Sequence, residues 1–579
     1  MLEFIQLLNQ RYQANISNLK VDDPLCAIFQ LRVEQLLLSE ALIKKGNLIK
    51  SSPRTPLQIV IIGPTQAGKS SVANLITNSH IAGVSPLAGY TVHPQGFCCD
   101  VTLQDCFGLQ NYFGRFQQLN LSELSNDRYD CYSLTANNVE TSLLPDCVFW
   151  DTPDFDSIDS VDYREGVIRT IALADIIVLV VSKEKYADQS VWEMMSTIES
   201  LHKPTLICVN KLIEGTEDII IRSLKEKWQH ARTDKFPDVI PLYYQKQTAM
   251  PVWPLSESNQ FFQLEKKVSL HKHSDYQSEL INKYWHAWLE PVVAEHEAAR
   301  IWRVLVDDTI AQALQEYQRD YLNHPHHYDT FQNALIELLN LLEIPGISRV
   351  LTKTRRILTW PVRKLMAIGK KVTSPGNQEQ TLLIQIGEHL LISLADQLLG
   401  KIDSDTKQLK WWKDSYSLLR QQRNILLTQY NEAVESYCSS FQQDVEATAG
   451  RLYNKLSEQP IILNSLRATR VTTDAAAMAL IIQTGGIGLH DLVITPAMLS
   501  VTSLLAESAI GSYMSRVEVE LKQHQLNTVK NDLFIACIQK SLYALPEQLS
   551  DNSRFNISLE LLEQAELQRN EKKHGIRLF

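Results

Sequence analysis

A doubly wound, mostly parallel α/β domain followed by a large all-α helical bundle or stalk is the architecture this sequence predicts. Three observations predict it. Between Leu57 and about Tyr244, apolar β-branched runs alternate with helix-compatible stretches, the pattern of a parallel sheet covered on both faces. The first of those runs, Leu57-Gln58-Ile59-Val60-Ile61-Ile62, ends in a glycine-containing turn that opens a helix-compatible stretch. Beyond about residue 260, amphipathic stretches cover roughly 262–340 and 379–460, and no convincing strand remains.

At 579 residues the chain exceeds what one core fills, so two to four domains are expected. Residues 1–50 read as helical, with Leu31, Val33, Leu36, Leu37, Leu38, Ala41 and Leu42 at mixed three- and four-residue spacing. The cluster Ser51-Ser52-Pro53-Arg54-Thr55-Pro56 breaks that pattern ahead of the first strand. Phe149-Trp150-Asp151 ends a second apolar run, and Ile176–Val181 and Thr205–Val209 read as further buried strands. The expected division is an N-terminal helical segment (1–53) packing on the bundle, an α/β domain (54–260) and a helical stalk (261–579). Ligands of such sheets collect at the carboxyl ends of the strands, so the polar residues after each run are the candidates.

A net charge of −10 argues against a general nucleic-acid binder, so no specific nucleic acid is expected as a partner. The nine cysteines are scattered and lack metal spacing, which predicts reduced thiols in a cytoplasmic protein. Cys98 and Cys99 are adjacent and predict strand packing on opposite faces. The N-terminus carries no basic start followed by an apolar core, so no secretory leader is expected. No uncharged apolar run reaches the ~20 residues of a simple spanning helix. The histidine-rich stretch Asn323-His324-Pro325-His326-His327-Tyr328-Asp329 reads as a turn between helices rather than a metal site.

Chemistry concentrates in Gly63-Pro64-Thr65-Gln66-Ala67-Gly68-Lys69-Ser70, followed by Ser71. Glycines let backbone N–H groups close around an anion, and the helix start adds its partial positive charge. Lys69 is placed to reach β- and γ-phosphates, and the Ser70 hydroxyl to ligate Mg²⁺. Asp151-Thr152-Pro153-Asp154 follows the second run, where a carboxylate can hold Mg²⁺ through water. Thr91, in the turn-rich stretch Ala88–Pro94, is the candidate for completing the Mg²⁺ shell while a γ-phosphate is present. Asn210-Lys211 follows the strand ending at Val209.

In this order the motifs resemble the Era- and dynamin-like branch of the P-loop GTPases. The Asp-Thr-Pro wording and the apolar Phe155 are similar to that branch. So is the architecture of bacterial dynamin-like proteins, with helices before and after a large nucleotide domain. The interval between Lys69 and Asp151 is long for a minimal GTPase, because residues about 98–145 are inserted. The resemblance implies GTP and GDP as ligands, with Mg²⁺. It implies Gly63 to Ser71 and Asp154 around the phosphates, Asn210 and Lys211 against the base, and Ser70, Thr91 and Asp151 as metal-holding residues. Lys69, Thr65, Gln66 and Thr91 are the expected catalytic set. Three departures stand out: Asp154 replaces the family's glycine, Ile213 replaces the base-reading carboxylate, and Thr65-Gln66 replaces Gln-Ser. Glu214, next in line, is the candidate substitute for the missing carboxylate. ATP therefore stays open beside GTP, as does a nucleotide-binding domain without hydrolysis.

Two later stretches bear on what the nucleotide controls. Residues 344–372 place Ile347, Val350, Leu351, Ile357 and Leu358 on one helical face, with eight basic residues and no acid elsewhere. That pattern suits an interfacial helix on anionic lipid, with Trp360 at headgroup level, and equally a helix packed on the bundle. Residues 475–506 contain only His490 and Asp491 as titratable members. They read either as a helical hairpin dipping into a leaflet or as bundle core. The expected function is a GTP-binding and hydrolysing, dynamin-like protein, cytoplasmic and peripheral on the inner face of a membrane. It is expected to form homo-oligomers or to pair with a related GTPase. A soluble regulatory switch acting on a protein or ribosomal partner, and a nucleotide-binding scaffold, are the rival readings.

Overall fold

The computed structural model describes residues 1–20, 22–52, 54–78, 91–125, 127–137, 143–154, 161–243, 253–323, 329–341, 378–405, 408–461, 463–464, 511–549 and 554–574. Ala88, Gly89, Tyr90, Phe155, His324, His326, His327 and both segments 344–372 and 475–506 lie outside the described residues. Two compact units divide the chain: Met1–Val293 with Asp551–Phe579, and Ala294–Ser550.

The first unit is built on an eight-stranded sheet. Its strands are β1 (Leu57–Ile62), β2 (Gln95–Cys99), β3 (Gln117–Gln118), β4 (Cys131–Asn137), β5 (Cys147–Asp151), β6 (Ile176–Ser182), β7 (Thr205–Leu212) and β8 (Asp238–Tyr243). Their spatial order is β3-β4-β2-β5-β1-β6-β7-β8. β1 lies between β5 and β6, parallel to both, with Ile59 level with Phe149 and Ile176. Only β2 runs against its neighbour β5. The inserted residues therefore extend one edge of the sheet. They supply β3, β4 and the short helix α4 (Gly108–Phe113), whose Phe113 stacks on Tyr132 at 4.1 Å. Cys98 and Cys99 go to the cores on opposite sides of the sheet, as the strand period requires.

α1 (Leu2–Ile16) and α2 (Pro24–Ser51) precede the sheet. α2 starts cleanly: the Asp23 side chain accepts the Leu25 N–H at 2.9 Å, and Pro24 needs no partner in the first turn. Both helices belong to the sheet-bearing unit. The mixed spacing noted in the sequence puts apolar residues on two faces of α2. Phe29, Val33 and Leu36 join Phe4, Leu8, Trp285, Trp288 and Phe555 in one core. Leu38, Ala41, Leu42 and Leu48 enter the core under the sheet. Lys45, buried, then donates to the carbonyls of Leu173 (2.6 Å) and Ala174 (2.7 Å) and to Asp175.

Every described secondary-structure element of the second unit is helical. The helix His273–Tyr317 gives it the stretch from Ala294. The other long helices are Asp329–Leu341, Gln378–Ser404, Leu409–Ser457 and Gly511–Thr528. Trp302, Trp412, Tyr430 and Phe534 fill the core with leucines from Gln378–Ser404. That helix is the one, among the described residues, long and apolar enough to cross a membrane. Its Leu383, Leu390, Leu394 and Leu398 are nevertheless buried in the bundle. One polar knot interrupts the core: Glu379 Oε1 accepts from Tyr317 (2.6 Å), Tyr437 (2.8 Å) and Gln525 (2.8 Å).

Candidate functional site: the loop after the first strand

β1 delivers the chain into the turn between Gly63 and Gly68, and α3 (Lys69–Ile76) leaves it. Both glycines are required by space. A Cβ on Gly63 would lie 2.2 Å from the Val180 carbonyl oxygen, and one on Gly68 would lie 2.4 Å from Asn210 Nδ2. Gly68 also sits at φ +90°, which L side chains rarely adopt. Lys69 is buried and folds back over the turn. Its Nζ donates to the carbonyls of Gly63 (3.0 Å) and Pro64 (3.4 Å) and to the Asp154 carboxylate.

Asp154 thus occupies a defined place. The carboxylate that stands where related loops carry glycine is paired with the loop lysine. Its backbone carbonyl accepts the Tyr163 hydroxyl at 2.6 Å, from the first turns of α5 (Val161–Leu173). Sequence reasoning missed Tyr163; the only available signal was its place early in the helix that follows Asp154.

The residues expected to hold a metal come together. Ser70 Oγ donates to Asp151 Oδ2 at 2.7 Å and lies 3.3 Å from Thr91 Oγ1. Asp151 is fully buried, and its second oxygen, Oδ1, has no hydrogen-bond partner among the described residues. Burial pushes its carboxyl up to about 6, with Asp154 adding to the rise while Ser70 and Lys69 pull it down. A buried carboxylate with one unanswered oxygen beside two hydroxyls is a donor set for a hard divalent cation, so Mg²⁺ fits these residues.

On the other side of the loop, Asn210 Nδ2 donates to the Ala67 carbonyl at 3.0 Å. Lys211 Nζ donates to the Gln66 carbonyl at 2.8 Å, and its N–H to Asn210 Oδ1 at 2.9 Å. The two residues after β7's buried run therefore brace the turn from outside. Ile213 is 56% exposed at the position of the missing carboxylate, and Glu214 is exposed beside it. Thr65 and Ser71 are half-buried and Gln66 is exposed, at φ +63°. Thr152, within the Asp-Thr-Pro motif, ties β5 to β1 through its hydroxyl and the Ile61 carbonyl, at 2.7 Å.

Residues 58–211 match the family model described as 50S ribosome-binding GTPase. No curated protein matches the chain. One similar solved structure is described as an oligomerised bacterial dynamin pair that provides a mechanism for the long-range sensing and tethering of membranes. It shares 10% identity at a TM-score of 0.35, over 91% of this chain and 90% of that one. A second, described in the same terms, shares 11% identity at a TM-score of 0.34, over 94% of this chain and 89% of that one. The phosphate-loop geometry and the family match together make the sheet-bearing part of this chain a P-loop GTPase domain.

Proposed function

We propose that the chain binds GTP with Mg²⁺ at this loop, hydrolyses it to GDP and phosphate, and couples the cycle to dynamin-like association at a membrane surface. The observation that carries the reading is the buried Asp151 Oδ1 left unanswered beside Ser70 and Thr91, with Lys69 over the same turn. Backbone amides of Gly63 to Ser71 hold the phosphates. Lys69 exchanges Asp154 for a β- or γ-phosphate oxygen, and Asp154 then faces the nucleotide without its cation. Asn210 and Lys211 stand against the base. Ser70, Thr91 and Asp151 hold Mg²⁺, which when bound neutralises phosphate charge. Thr65 and Gln66 border the point where water attacks the γ-phosphorus as the bond to the GDP oxygen breaks, and Thr91 closes over it.

The organisation proposed with this activity is a GTPase domain over 54–260 and a helical stalk over 261–579. The basic segment 344–372 and the apolar segment 475–506 are its candidate membrane contacts. The protein is then cytoplasmic and peripheral on the inner face of a membrane, and acts as a homo-oligomer or with a related GTPase. A scaffold with weak hydrolysis is the second reading. Asp154 on Lys69 and the exposed Ile213 favour it.

Calorimetric titration with GTP, GDP and ATP in Mg²⁺ tests the first step. Saturable heat with GTP is expected, and Lys69→Ala should weaken it at least a hundredfold, about 2.7 kcal/mol. No heat with any nucleotide overturns the reading. Sedimentation with anionic vesicles, with and without GTP, tests the membrane step. Changing Arg349, Lys353, Arg355 and Arg356 to Glu should abolish pelleting, and unchanged pelleting removes 344–372 as the contact.

A further inference from the structure

Thr91 stands just ahead of β2, and the inserted region grips that approach. His93, 2% exposed, turns its Nε2 to the Arg128 carbonyl. A carbonyl only accepts, so this ring nitrogen carries the proton and donates. The next residue is held as well: the Pro94 carbonyl accepts the Ser133 N–H at 3.1 Å. β2 then begins with Gln95 level with Ser133 of β4 on one side and with Asp151 of β5 on the other. The stretch leading from Thr91 into the sheet is therefore set by residues 128–133, beside the strand that carries the buried carboxylate.

The same turn reaches Asp154. The Tyr129 ring stands edge-on to Tyr163, with centroids 5.8 Å apart and planes at 90°. That geometry puts the positive edge of one ring against the negative face of the other. Tyr163, 2% exposed, donates its hydroxyl to the Asp154 carbonyl at 2.6 Å. α5, which carries Tyr163, also comes close to Pro94: a Cβ on Gly166 would lie 3.8 Å from that ring and 3.4 Å from Phe116. The turn is stiffened from within. The Arg128 N–H donates to the Ser125 carbonyl at 3.2 Å, the Arg128 guanidinium pairs with Asp130 at 2.5 Å, and the Asp130 carbonyl accepts the Gln117 N–H at 2.9 Å.

We propose that the turn Arg128–Tyr129 is a positioning element of the nucleotide site, setting Thr91 through His93 and Asp154 through Tyr163. His93 and Tyr163 are positioning residues, since each acts through the backbone of the segment it holds. Groups of a site have to be held within about 0.5 Å of their working position, and one stiff turn does this for both segments at once. The proposal rests on the reading that Thr91 completes the Mg²⁺ shell under a γ-phosphate and that Asp154 yields Lys69 to the nucleotide. It gives the inserted region a task beyond widening the sheet. Thr91 and Asp154 answer the γ-phosphate, so the turn governs how GTP is told from GDP.

Calorimetric titration of the full chain in Mg²⁺ tests it, with GDP and the β,γ-imido analogue of GTP, which hydrolysis does not consume. His93→Leu and Tyr163→Phe should each weaken the analogue at least tenfold and leave GDP within twofold. His93→Gln, which keeps a donor for the Arg128 carbonyl, should recover most of the loss. Tyr129→Ala, at a half-buried position, should weaken the analogue about fivefold, and Tyr129→Phe should restore it. The double variant His93→Leu with Tyr163→Phe should lose less than the product of the single losses, because both arms end on one turn. A melting temperature close to that of the parent certifies each variant, and Tyr129→Ala carries the test where a buried substitution fails to fold. Variants that bind the analogue as the parent does, or that lose GDP in equal measure, overturn the proposal. Single losses that multiply in full overturn the shared turn. A parent that binds neither nucleotide, or binds the two alike, instead removes the reading beneath the proposal, and the proposal with it.

Discussion

A buried carboxylate in each unit, Glu379 in one and Asp151 in the other, is treated in opposite ways. Glu379, in the helical unit, has one oxygen that accepts three donors, from Tyr317, Tyr437 and Gln525. Asp151, in the GTPase domain, accepts one hydroxyl and leaves Oδ1 with no partner among the described residues. Burial raises the carboxyl of both. The difference lies in who completes the shell. Glu379 is completed by its own chain and so specifies how the helices meet. Asp151 is left incomplete by its own chain, which is what a site for an outside cation requires.

The largest effect is expected in the helical unit. Glu379→Leu strands three buried donors at once. At about 1–3 kcal/mol for each, the expected loss of stability is about 4 kcal/mol. It should appear in denaturant melts followed by tryptophan fluorescence, with GTP affinity unchanged. A loss of affinity without a loss of stability would mean the knot belongs to nucleotide sensing.

Asp151→Asn should do the reverse. It removes a buried charge that the folded chain does not pair, so the melting temperature should hold or rise. The Mg²⁺-dependent part of GTP affinity should fall about a hundredfold, about 2.7 kcal/mol. Titrations with and without EDTA separate the two terms. A destabilised variant with intact Mg²⁺ dependence would mark Asp151 as structural, like Glu379.

These contrasts also show what could be read from the sequence. The phosphate loop was legible because its glycines answer local needs: Gly63 meets the Val180 carbonyl, and Gly68 takes a left-handed conformation. The strands β1, β5, β6 and β7 were legible from apolar runs of the right length, whereas their order in the sheet depended on the fold. α2 was legible as a helix but not as a two-sided one, because spacing does not say which of two apolar faces meets which neighbour. Asp154 was visible as a charge in the wrong place, while its pairing with Lys69 depended on the fold. Tyr163 and the pairing of Arg169 with Glu40 were invisible. Glu40 comes from α2, far away in sequence, and Tyr163 reaches a backbone carbonyl, which leaves no mark in residue type.

At smaller scale, Asp154 is a carboxylate answered by the cation proposed to meet the nucleotide. Asp154→Asn keeps the backbone carbonyl for Tyr163 and frees Lys69 from its ion pair. GTP affinity should then rise about fivefold, about 1 kcal/mol. Calorimetry reads the change directly, and an unchanged affinity would mean that Asp154 leaves Lys69 at no cost.

The smallest effect is the one that isolates Asp151 without mutation. Its carboxyl titrates at about 6, raised by burial and by Asp154, while Ser70 and Lys69 oppose the rise. In an unfolded chain the same group titrates near ~3.9. Between those values the folded protein holds the extra proton, so this group's contribution to stability declines as pH rises toward 6 and is constant above it. Cation binding runs the other way, because Mg²⁺ takes the ionised form. From pH 7 to pH 5.5 the ionised fraction falls from about nine-tenths to about one quarter, so Mg²⁺-dependent GTP affinity should weaken about fourfold. Asp151→Asn should flatten that profile. An inflection that persists in this variant would assign the titration to another group, and the unanswered oxygen would no longer mark the cation site.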